Sequence, residues 1–177
     1  MSSASVSVST STSTHNNTTT TSTTATITAV PNQELTDIIL QVPIHKHIGI
    51  VLDSQDYENK TAAAHFQTHH ELMTPTDTLH GGVIYTCCDS VAYLALIPHF
   101  SESENAATIA ISVNVIRAVS GTDKRVELHA RVLSKGQRTA FIESSMWYNN
   151  KLIATAIVTK AIIKQLPKQL AKATSKL

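Results

Sequence analysis

The N-terminus of this 177-residue chain lacks charged side chains: residues Met1–Gln33 contain no Asp, Glu, Lys or Arg. Instead, 19 of the first 28 residues are Ser or Thr. Such a segment cannot bury enough apolar surface to offset its conformational entropy, so we expect it to be disordered. It also lacks the basic start and apolar block of a secretory signal, and the Arg residues of a mitochondrial presequence.

Charge is scarce in the chain as a whole, with 15% charged residues and a formal net charge of +1. Nucleic acid is therefore excluded as the main partner, because phosphate binding needs a concentrated excess of Lys and Arg. The longest apolar run, Val91–Ile97, is far shorter than the roughly 20 residues that cross a bilayer. We therefore predict no membrane span.

Cysteine is also rare, and the two present, Cys87 and Cys88, are adjacent in the sequence. Neighbouring cysteines seldom form a disulfide, and no second pair exists to complete a zinc site. We expect two reduced, buried thiols in an intracellular compartment.

The remaining sequence predicts one α+β domain over residues 34–163, between a disordered Ser/Thr-rich tail at 1–33 and a flexible C-terminal tail at 164–177. A short helical period is followed by two strands, one long helix and four segments of alternating apolar and polar residues. Short polar turns separate these segments, as between antiparallel neighbours. The order β-β-α-β-β-β-β predicts one long central helix packed on a twisted antiparallel sheet. The predicted elements are Glu34–Val42, Ile48–Asp53, Thr61–Gln67, Gly82–Ile97, Thr108–Val115, Arg125–Leu133, Thr139–Tyr148 and Leu152–Ile163.

The long helix is apolar on nearly all sides. One continuous stripe of about 140° is suited to lie on the sheet, but the opposite side also carries apolar residues. Because one sheet covers only one face, we expect another protomer to cover the second face. The stripe comprises Val83, Ile84, Cys87, Cys88, Val91, Leu94 and Ala95, and the opposite side holds Tyr85, Ala92, Tyr93 and Leu96.

Asp89 is the only Asp, Glu, Lys or Arg between Gly81 and Pro98. A carboxylate at a half-covered interface loses hydration and becomes a candidate base or nucleophile. The alternative interpretation is an exposed aspartate on the polar side of a surface helix.

His80-Gly81-Gly82 stands at the start of this helix. Two glycines leave the backbone N–H groups open, and the helix dipole adds partial positive charge, so this turn can bind a developing oxyanion. A tight turn without further function is the alternative. Asp89 follows Gly82 by seven residues, about 10 Å along the helix, so we expect a substrate lying along the helix to meet both groups.

These residues resemble the hotdog-fold acyl-CoA thioesterases, specifically the phenylacetate-pathway-like branch, over roughly residues 44–163. The resemblance rests on Thr78-Leu79-His80-Gly81-Gly82 with Asp89 nine residues after the histidine. It also rests on the turn Ser134-Lys135-Gly136-Gln137-Arg138-Thr139 and on the last strand, Leu152-Ile153-Ala154-Thr155-Ala156-Ile157-Val158-Thr159.

The resemblance implies a catalytic role for Asp89, as general base on water or as nucleophile. It implies that the N–H of Gly82, or of a neighbour in this turn, polarises the thioester carbonyl, and that Thr108 helps to position water. It implies homodimers or homotetramers with sites between protomers, and no metal or redox cofactor. The full set of candidate catalytic residues is Asp89, Gly82, Thr108, Thr74 and His80.

Coenzyme A is expected, by the same resemblance, to lie along the loops Val115–Ser120 and Ser134–Thr139. The cationic side chains of these loops would meet its phosphates, and backbone groups would meet the pantetheine arm. The candidate binding residues are Gly81, Arg117, Lys135, Gly136 and Arg138.

Two positions depart from the family pattern. Thr74 stands where Asn or Gln is frequent, and its side chain reaches less far. Asp77 stands where Gly is common, and it adds a negative charge near the predicted site. We expect these departures to affect carbonyl binding, acyl choice or pH dependence.

Other functions are disfavoured or stay open as alternatives. The cluster of His65, His69 and His70 beside Glu71 lacks metal-ligand spacing, so we expect these side chains to be solvated or locally paired. No Gly-x-Ser-x-Gly elbow is present, which disfavours a serine hydrolase. A non-catalytic acyl-CoA-binding protein and a hotdog enoyl-CoA hydratase remain as alternatives.

The sequence given ends in Ser175-Lys176-Leu177, which is a peroxisomal address. We therefore expect binding to the peroxisomal import receptor through these three residues and a peroxisomal location. A cytoplasmic location is the alternative.

Overall fold

The computed structural model of the protein describes residues 32–164, which form a sheet of six strands around one long helix. The predicted tails at 1–33 and 164–177 lie almost wholly outside the described residues. The helices are α1 (Gln33–Leu40), α2 (Pro43–Ile48) and α3 (Gly81–Leu96), and the strands are β1 (Val51–Asp56), β2 (Thr61–Gln67), β3 (Asn105–Val115), β4 (Arg125–Lys135), β5 (Thr139–Tyr148) and β6 (Lys151–Ile163).

The sheet has the strand order β1-β2-β4-β5-β6-β3, and every pair is antiparallel. Consecutive strands from β4 to β6 are joined by short turns, and β3 crosses over to pair with β6 at the far edge. In the β5–β6 turn both Asn149 and Asn150 adopt positive φ, which matches the twist of a tight hairpin. The predicted element order and the α+β class are confirmed.

Strands β2 and β5 have the predicted bounds, but the predicted strand Ile48–Asp53 is wrong at its start. Pro43 begins α2, because its fixed φ suits the first helical turn, and α2 continues to Ile48. Gly49, at φ 78°, ends that helix in the left-handed conformation. The strand therefore begins only at Val51.

Helix α3 forms the centre of the core. Its residues Cys87, Cys88 and Val91 are fully buried against inward-facing side chains of the sheet such as Leu128 and Ile142. Gly81–His99 is apolar and long enough to pass as a membrane span by composition, but 67% of its most apolar window is buried within this domain. Burial raises the pKa of the Cys88 thiol to about 11 and also raises that of Cys87, so both are inert, free thiols.

The expectation that another protomer covers the whole second face of α3 is wrong for the C-terminal half of the helix. Ala92, Tyr93 and Leu96 are buried by the chain itself, and the Tyr93 ring lies against Phe100 and under the Lys160 ammonium. The His45 ring in α2 bonds the Ser90 hydroxyl at 2.8 Å, and the Gln55 amide in β1 donates to the carbonyl of residue 94 at 2.7 Å. Only the N-terminal half of α3 stays open, from Gly81 through Tyr85 to Asp89.

Strand β3 also differs from its predicted pattern. Its apolar set was expected to face the core, yet Ile109 and Val115 are 62% and 50% exposed. The register shifts between Thr108 and Ala110, because a bulge inserts a residue opposite β6. As an edge strand beside the open half of α3, β3 leaves apolar side chains uncovered in the single chain.

Candidate active site

Asp89 lies on the third turn of α3, where its carboxylate meets one side chain from each of the two strands at the sheet edge. Thr108 on β3 donates its hydroxyl to Asp89 Oδ1 at 2.8 Å. Lys160 on β6 donates its ammonium to the same oxygen at 2.8 Å and to the Thr108 hydroxyl at 2.7 Å. The Asp89 side chain is 35% exposed. Among the described residues, Oδ2 has no hydrogen-bond partner.

Lys160 is the site residue that the sequence analysis missed. It lies in the inward phase of β6 with Ala154, Ala156 and Val158, and its side chain is only 2% exposed. The ammonium also lies 5.1 Å from the centre of the Tyr93 ring. Burial lowers the pKa of Lys160, and Asp89 opposes that shift. The signal that identifies Lys160 in the sequence is that it is the lone charged residue among the inward-facing positions of β6, which are otherwise apolar.

The start of α3 places His80 differently from the expectation. The His80 ring Nδ1 accepts a hydrogen bond from Gly82 N–H at 2.9 Å, and the His80 carbonyl accepts from Val83 N–H at 2.9 Å. Of the two donors that the prediction left open, Gly82 N–H or that of a neighbour in this turn, the Gly82 N–H is therefore already engaged. Among the described residues, the Gly81 N–H has no partner, so it is the donor available to a ligand.

The surroundings of the two glycines explain both positions. A Cβ atom on Gly82 would lie 3.0 Å from His80 Nδ1, so this glycine makes room for the capping ring. A Cβ atom on Gly81 would meet nothing within 4 Å. Gly81 is also exposed, so its unpartnered N–H is accessible at the positive end of the helix dipole, as an anion or carbonyl site requires.

The spacing along α3 determines whether the Gly81 N–H and the Asp89 carboxylate of one chain can act on the same substrate carbonyl. Asp89 follows Gly81 by eight residues, about 12 Å along the helix axis. When a carbonyl oxygen accepts a hydrogen bond from one donor and the carbonyl carbon is attacked by another group, the donor and the attacking atom lie at most about 8 Å apart. Direct attack by Asp89 on a carbonyl held by Gly81 of the same chain is therefore excluded by this spacing, and the expectation that a substrate lying along the helix meets both groups stays a prediction. Gly81 of one copy and Asp89 of another have no such restriction.

The two departures from the family pattern lie in one tight turn before the helix. The Thr74 hydroxyl bonds those of Thr76 and Thr78 at 2.9 and 2.8 Å, so it is engaged within the turn rather than directed at a ligand. Asp77 adopts φ 53°, the left-handed region that favours glycine and tolerates aspartate. This conformation explains why Asp77 can stand where the family commonly has glycine.

The candidate coenzyme A residues do not form one site within a single chain. The backbone N–H of Arg117 bonds the carbonyl of Ile153, whereas the carbonyl of Arg138 accepts from Ile162 N–H. These contacts are nine residues apart on β6, about 30 Å. Arg117 and the Lys135–Arg138 turn therefore lie at opposite ends of β6 in one chain, so a coenzyme A site that uses both loops needs two copies, and the predicted binding role of these residues stays a prediction.

The individual side chains of these loops also differ in availability. The Arg117 guanidinium donates to the carbonyl of Leu152 at 2.7 Å. Lys135 pairs with Glu104 at 2.8 Å, and this hydrogen bond lowers the pKa of the Glu104 carboxyl. Gly136 N–H bonds the carbonyl of Thr139 within the turn. Arg138 is exposed, and its guanidinium has no partner in the described part of the chain.

A cavity of about 370 Å³ opens beside the first two turns of α3. Its size falls in the range of small-molecule sites. It is lined in part by apolar side chains, and His80 and Gly82 border it. The apolar lining residues are Ile44, Ile48, Leu72 and Val83.

The histidine cluster is locally paired, as expected. His65 bonds Asp53 at 2.8 Å, and His69 bonds Glu71 at 2.6 Å. Over residues 32–164 no group of three or more His, Cys, Asp or Glu side chains is arranged to hold a metal ion.

Comparison with known proteins gives a consistent result. Residues 76–153 match the family model of the thioesterase superfamily. A search of curated proteins finds no significant match. Among solved structures, a thioesterase from Haemophilus influenzae superposes with a TM-score of 0.68 at 21% identity, covering 80% of this chain and 96% of its own.

Two further solved structures have the same fold. A conserved protein from Pseudomonas aeruginosa superposes with a TM-score of 0.64 at 24% identity, covering 71% of this chain and 98% of its own. A phenylacetic acid degradation-related protein from Ralstonia eutropha gives a TM-score of 0.65 at 17% identity, covering 71% and 97%. The family match spans the end of the Thr74–Asp77 turn, α3 and most of the sheet, so this part of the chain is similar to the thioesterase superfamily, and the chain has the hotdog fold.

Proposed function

We propose that the protein hydrolyses acyl-CoA thioesters to a carboxylic acid and free coenzyme A. The observation that carries this proposal is the Asp89 carboxylate, in a chain that is similar to the thioesterase superfamily over residues 76–153. Its Oδ1 is held by Thr108 and Lys160, its Oδ2 has no partner among the described residues, and the side chain is 35% exposed.

In the proposed reaction, the thioester carbonyl oxygen accepts a hydrogen bond from Gly81 N–H. Asp89 Oδ2 takes a proton from a water molecule whose oxygen attacks the carbonyl carbon. The negative charge on the carbonyl oxygen is stabilised at the helix N-terminus. The C–S bond then breaks, and the thiolate of coenzyme A leaves and takes up a proton. Direct attack by Oδ2, followed by hydrolysis of the acyl-enzyme, is the alternative route.

We propose that the working unit is a homodimer or a homotetramer, in which Gly81 and Asp89 of one site come from different copies. The 12 Å spacing within one chain supports this arrangement. Apolar side chains around the open half of α3 also support it, because Tyr85, Ile109 and Val115 are 43%, 62% and 50% exposed. The same arrangement would bring Arg117 of one copy toward the loops of another.

Thiol release from a panel of acyl-CoA esters tests the reaction and narrows the acyl group. The matched inactive control is the double variant Asp89→Asn/Lys160→Met, which removes the carboxylate without leaving a buried ammonium unpaired. We expect release by the wild-type protein and none by the double variant. Binding of acyl-CoA without release would instead support a binding protein, and a change in enoyl absorbance without release would support a hydratase.

A mixing experiment tests the shared site. Gly81→Pro removes the N–H donor at a helix position that accepts proline, and the double variant Asp89→Asn/Lys160→Met removes the carboxylate without leaving a buried ammonium unpaired, so each homodimer is expected to be inactive. After the two are unfolded and refolded together, about a quarter of wild-type activity should return, because half of the dimers are mixed and each has one intact site. No recovery in mixed dimers would place both groups of a site on one chain.

A peroxisomal location and binding to the import receptor stay proposals, since Ser175, Lys176 and Leu177 lie outside the described residues. Their test is the distribution of a fluorescent fusion with and without these three residues. Peroxisomal signal that does not depend on them would contradict the proposal.

A further inference from the structure

We propose that Lys160 is the positioning residue of the active site, which fixes the orientation of the Asp89 carboxylate so that its second oxygen, Oδ2, is left to act on the substrate. The proposal rests on the proposed function, in which Asp89 is the reacting carboxylate. Lys160 itself does not reach substrate, because its side chain is 2% exposed.

The contacts of Lys160 define one orientation of Asp89. Its ammonium donates to Asp89 Oδ1 and to the Thr108 hydroxyl, and that hydroxyl donates to the same Oδ1. The three groups form a closed triangle with sides of 2.7 to 2.8 Å. Two donors on Oδ1 restrict rotation of the carboxylate, and the remaining oxygen is directed to the exposed side. Fixing a reacting group in this way can change rates by about 100-fold.

Lys160 is also the dominant charge near Asp89. The inward-facing side chains of β2, β4 and β5 are uncharged, and β3 contributes the neutral Thr108. On α3 itself the titratable neighbours are Cys88 and Tyr93, whose pKa values burial raises to about 11 and about 12, so both are neutral near pH 7. The ammonium is therefore the one cation that stabilises the ionised form of Asp89 from within the described core.

Packing alone does not account for a lysine at this position. The neighbouring inward positions of β6 hold Ala154, Ala156 and Val158, and the ring of Tyr93 would pack equally against an apolar chain. Burying an ammonium is unfavourable unless its partners compensate, and burial does lower the pKa of Lys160. The energetic cost indicates that the charge is present for its effect on Asp89.

The test compares Lys160→Met and Lys160→Gln with wild type, with Lys151→Met as the matched control. Lys151 begins the same strand and is exposed, so the control loses the same charge far from Asp89. For Lys160→Met we expect kcat to fall about 10- to 100-fold with KM changed less than threefold. Lys151→Met should match wild type in both measurements, and Lys160→Gln, which keeps an N–H donor, should fall between.

A structure of each Lys160 variant gives a readout that does not depend on activity. Without Lys160, the Asp89 carboxylate should adopt more than one orientation, because only the Thr108 hydroxyl still donates to Oδ1. Both Lys160 variants are measured, so that misfolding of one leaves the other.

The outcomes separate this inference from the proposed function. If wild type hydrolyses acyl-CoA while the Lys160 variants keep its kcat, the positioning role is wrong and the proposed function stands. If wild type releases no thiol, the proposed function fails, and the structures of the variants decide whether Lys160 fixes the orientation of Asp89. An Asp89 carboxylate that keeps its single orientation in both variants would overturn the inference in either case.

Discussion

Replacing Asp89 with Asn should destabilise the domain, whereas replacing its partner Lys160 with Met should not. The difference follows from exposure, because the Lys160 side chain is 2% exposed and that of Asp89 is 35% exposed. When the lysine is removed, the carboxylate left behind is still hydrated. When the carboxylate is removed, an ammonium stays buried with only neutral partners.

The magnitude follows from the cost of an uncompensated buried charge. Removing one partner of a fully buried pair costs about 3–5 kcal/mol, and the Asn amide oxygen still accepts one bond from Lys160, so we expect a loss of about 2–3 kcal/mol for Asp89→Asn. Lys160→Met should lie between no change and about 2 kcal/mol of added stability. The free energy of unfolding of the double variant should stay close to that of wild type. The coupling free energy between the Asp89 and Lys160 side chains is then about 2 kcal/mol.

The pH dependence of the same pair has a defined sign. Because the pKa of Lys160 is lowered from 10.5 in the folded chain, the unfolded chain binds more protons between that lowered value and pH 10.5. Wild-type stability should therefore gain a contribution as the pH rises through this window, and Lys160→Met should lack that contribution. Near pH 7 the ammonium is charged in both states and the cost of its burial is fully present.

Urea unfolding at pH 7 measures these values, and the single tryptophan, Trp147 on β5, provides the fluorescence signal. Lys151→Met is the control for loss of one positive charge and should unfold like wild type. Equal losses of stability in Asp89→Asn and Lys160→Met would refute the reasoning, since they would mean that the two charges are equally buried. A double variant as unstable as Asp89→Asn would refute it as well.

Three further predictions concern the turns around the site. Gly81→Pro should lower kcat by about 100- to 1,000-fold, because it removes the N–H that the carbonyl oxygen needs. It should cost little stability, because proline is accepted at the first position of a helix. Gly81→Ala, which keeps the N–H, is the control. Asp77→Gly should leave the midpoint of thermal unfolding unchanged or slightly higher, whereas Asp77→Val should lower it, because φ is 53° at this position. Arg138→Ala should raise the KM for acyl-CoA. Lys135→Met should mainly remove the stability that the hydrogen bond between Lys135 and Glu104 supplies above pH 4.5. Wild type loses this stability only as the pH falls through the lowered pKa of the Glu104 carboxyl. Steady-state kinetics and unfolding curves between pH 3 and 7 separate the two effects.

The sequence predicts the fold well because the fold depends on local patterns. Alternation over Thr139–Tyr148 identifies a strand whose two faces differ, and the apolar stripe of α3 identifies the core helix. The boundary at Ile48 was missed, since a short helix between Pro43 and Gly49 depends on single residues at its ends rather than on a period. The exposure of Ile109 was missed because a bulge changes the phase of β3, and alternation does not show where a bulge occurs.

The site was predicted less completely. Asp89 and Thr108 lie together as the resemblance implies, but the choice between Gly81 and Gly82 depends on which way the His80 ring turns, and no spacing rule contains that information. Alternation along β6 identifies Lys160 as the lone charged residue among its inward-facing positions. Its contact with Asp89 could not be predicted, because that contact depends on the pairing of β3 with β6. The two coenzyme A loops were placed in one site because sequence order does not show that they lie at opposite ends of β6.

Thiol release from acyl-CoA by wild type, by Lys160→Met and by the Asp89→Asn/Lys160→Met double variant tests the central claim most directly. If the Asp89 carboxylate performs the hydrolysis, we expect full activity for wild type, reduced activity for the single variant and none for the double variant, with all three proteins folded. Wild-type rates in the double variant would show that thioester cleavage does not need Asp89, and the account of this site would then be wrong.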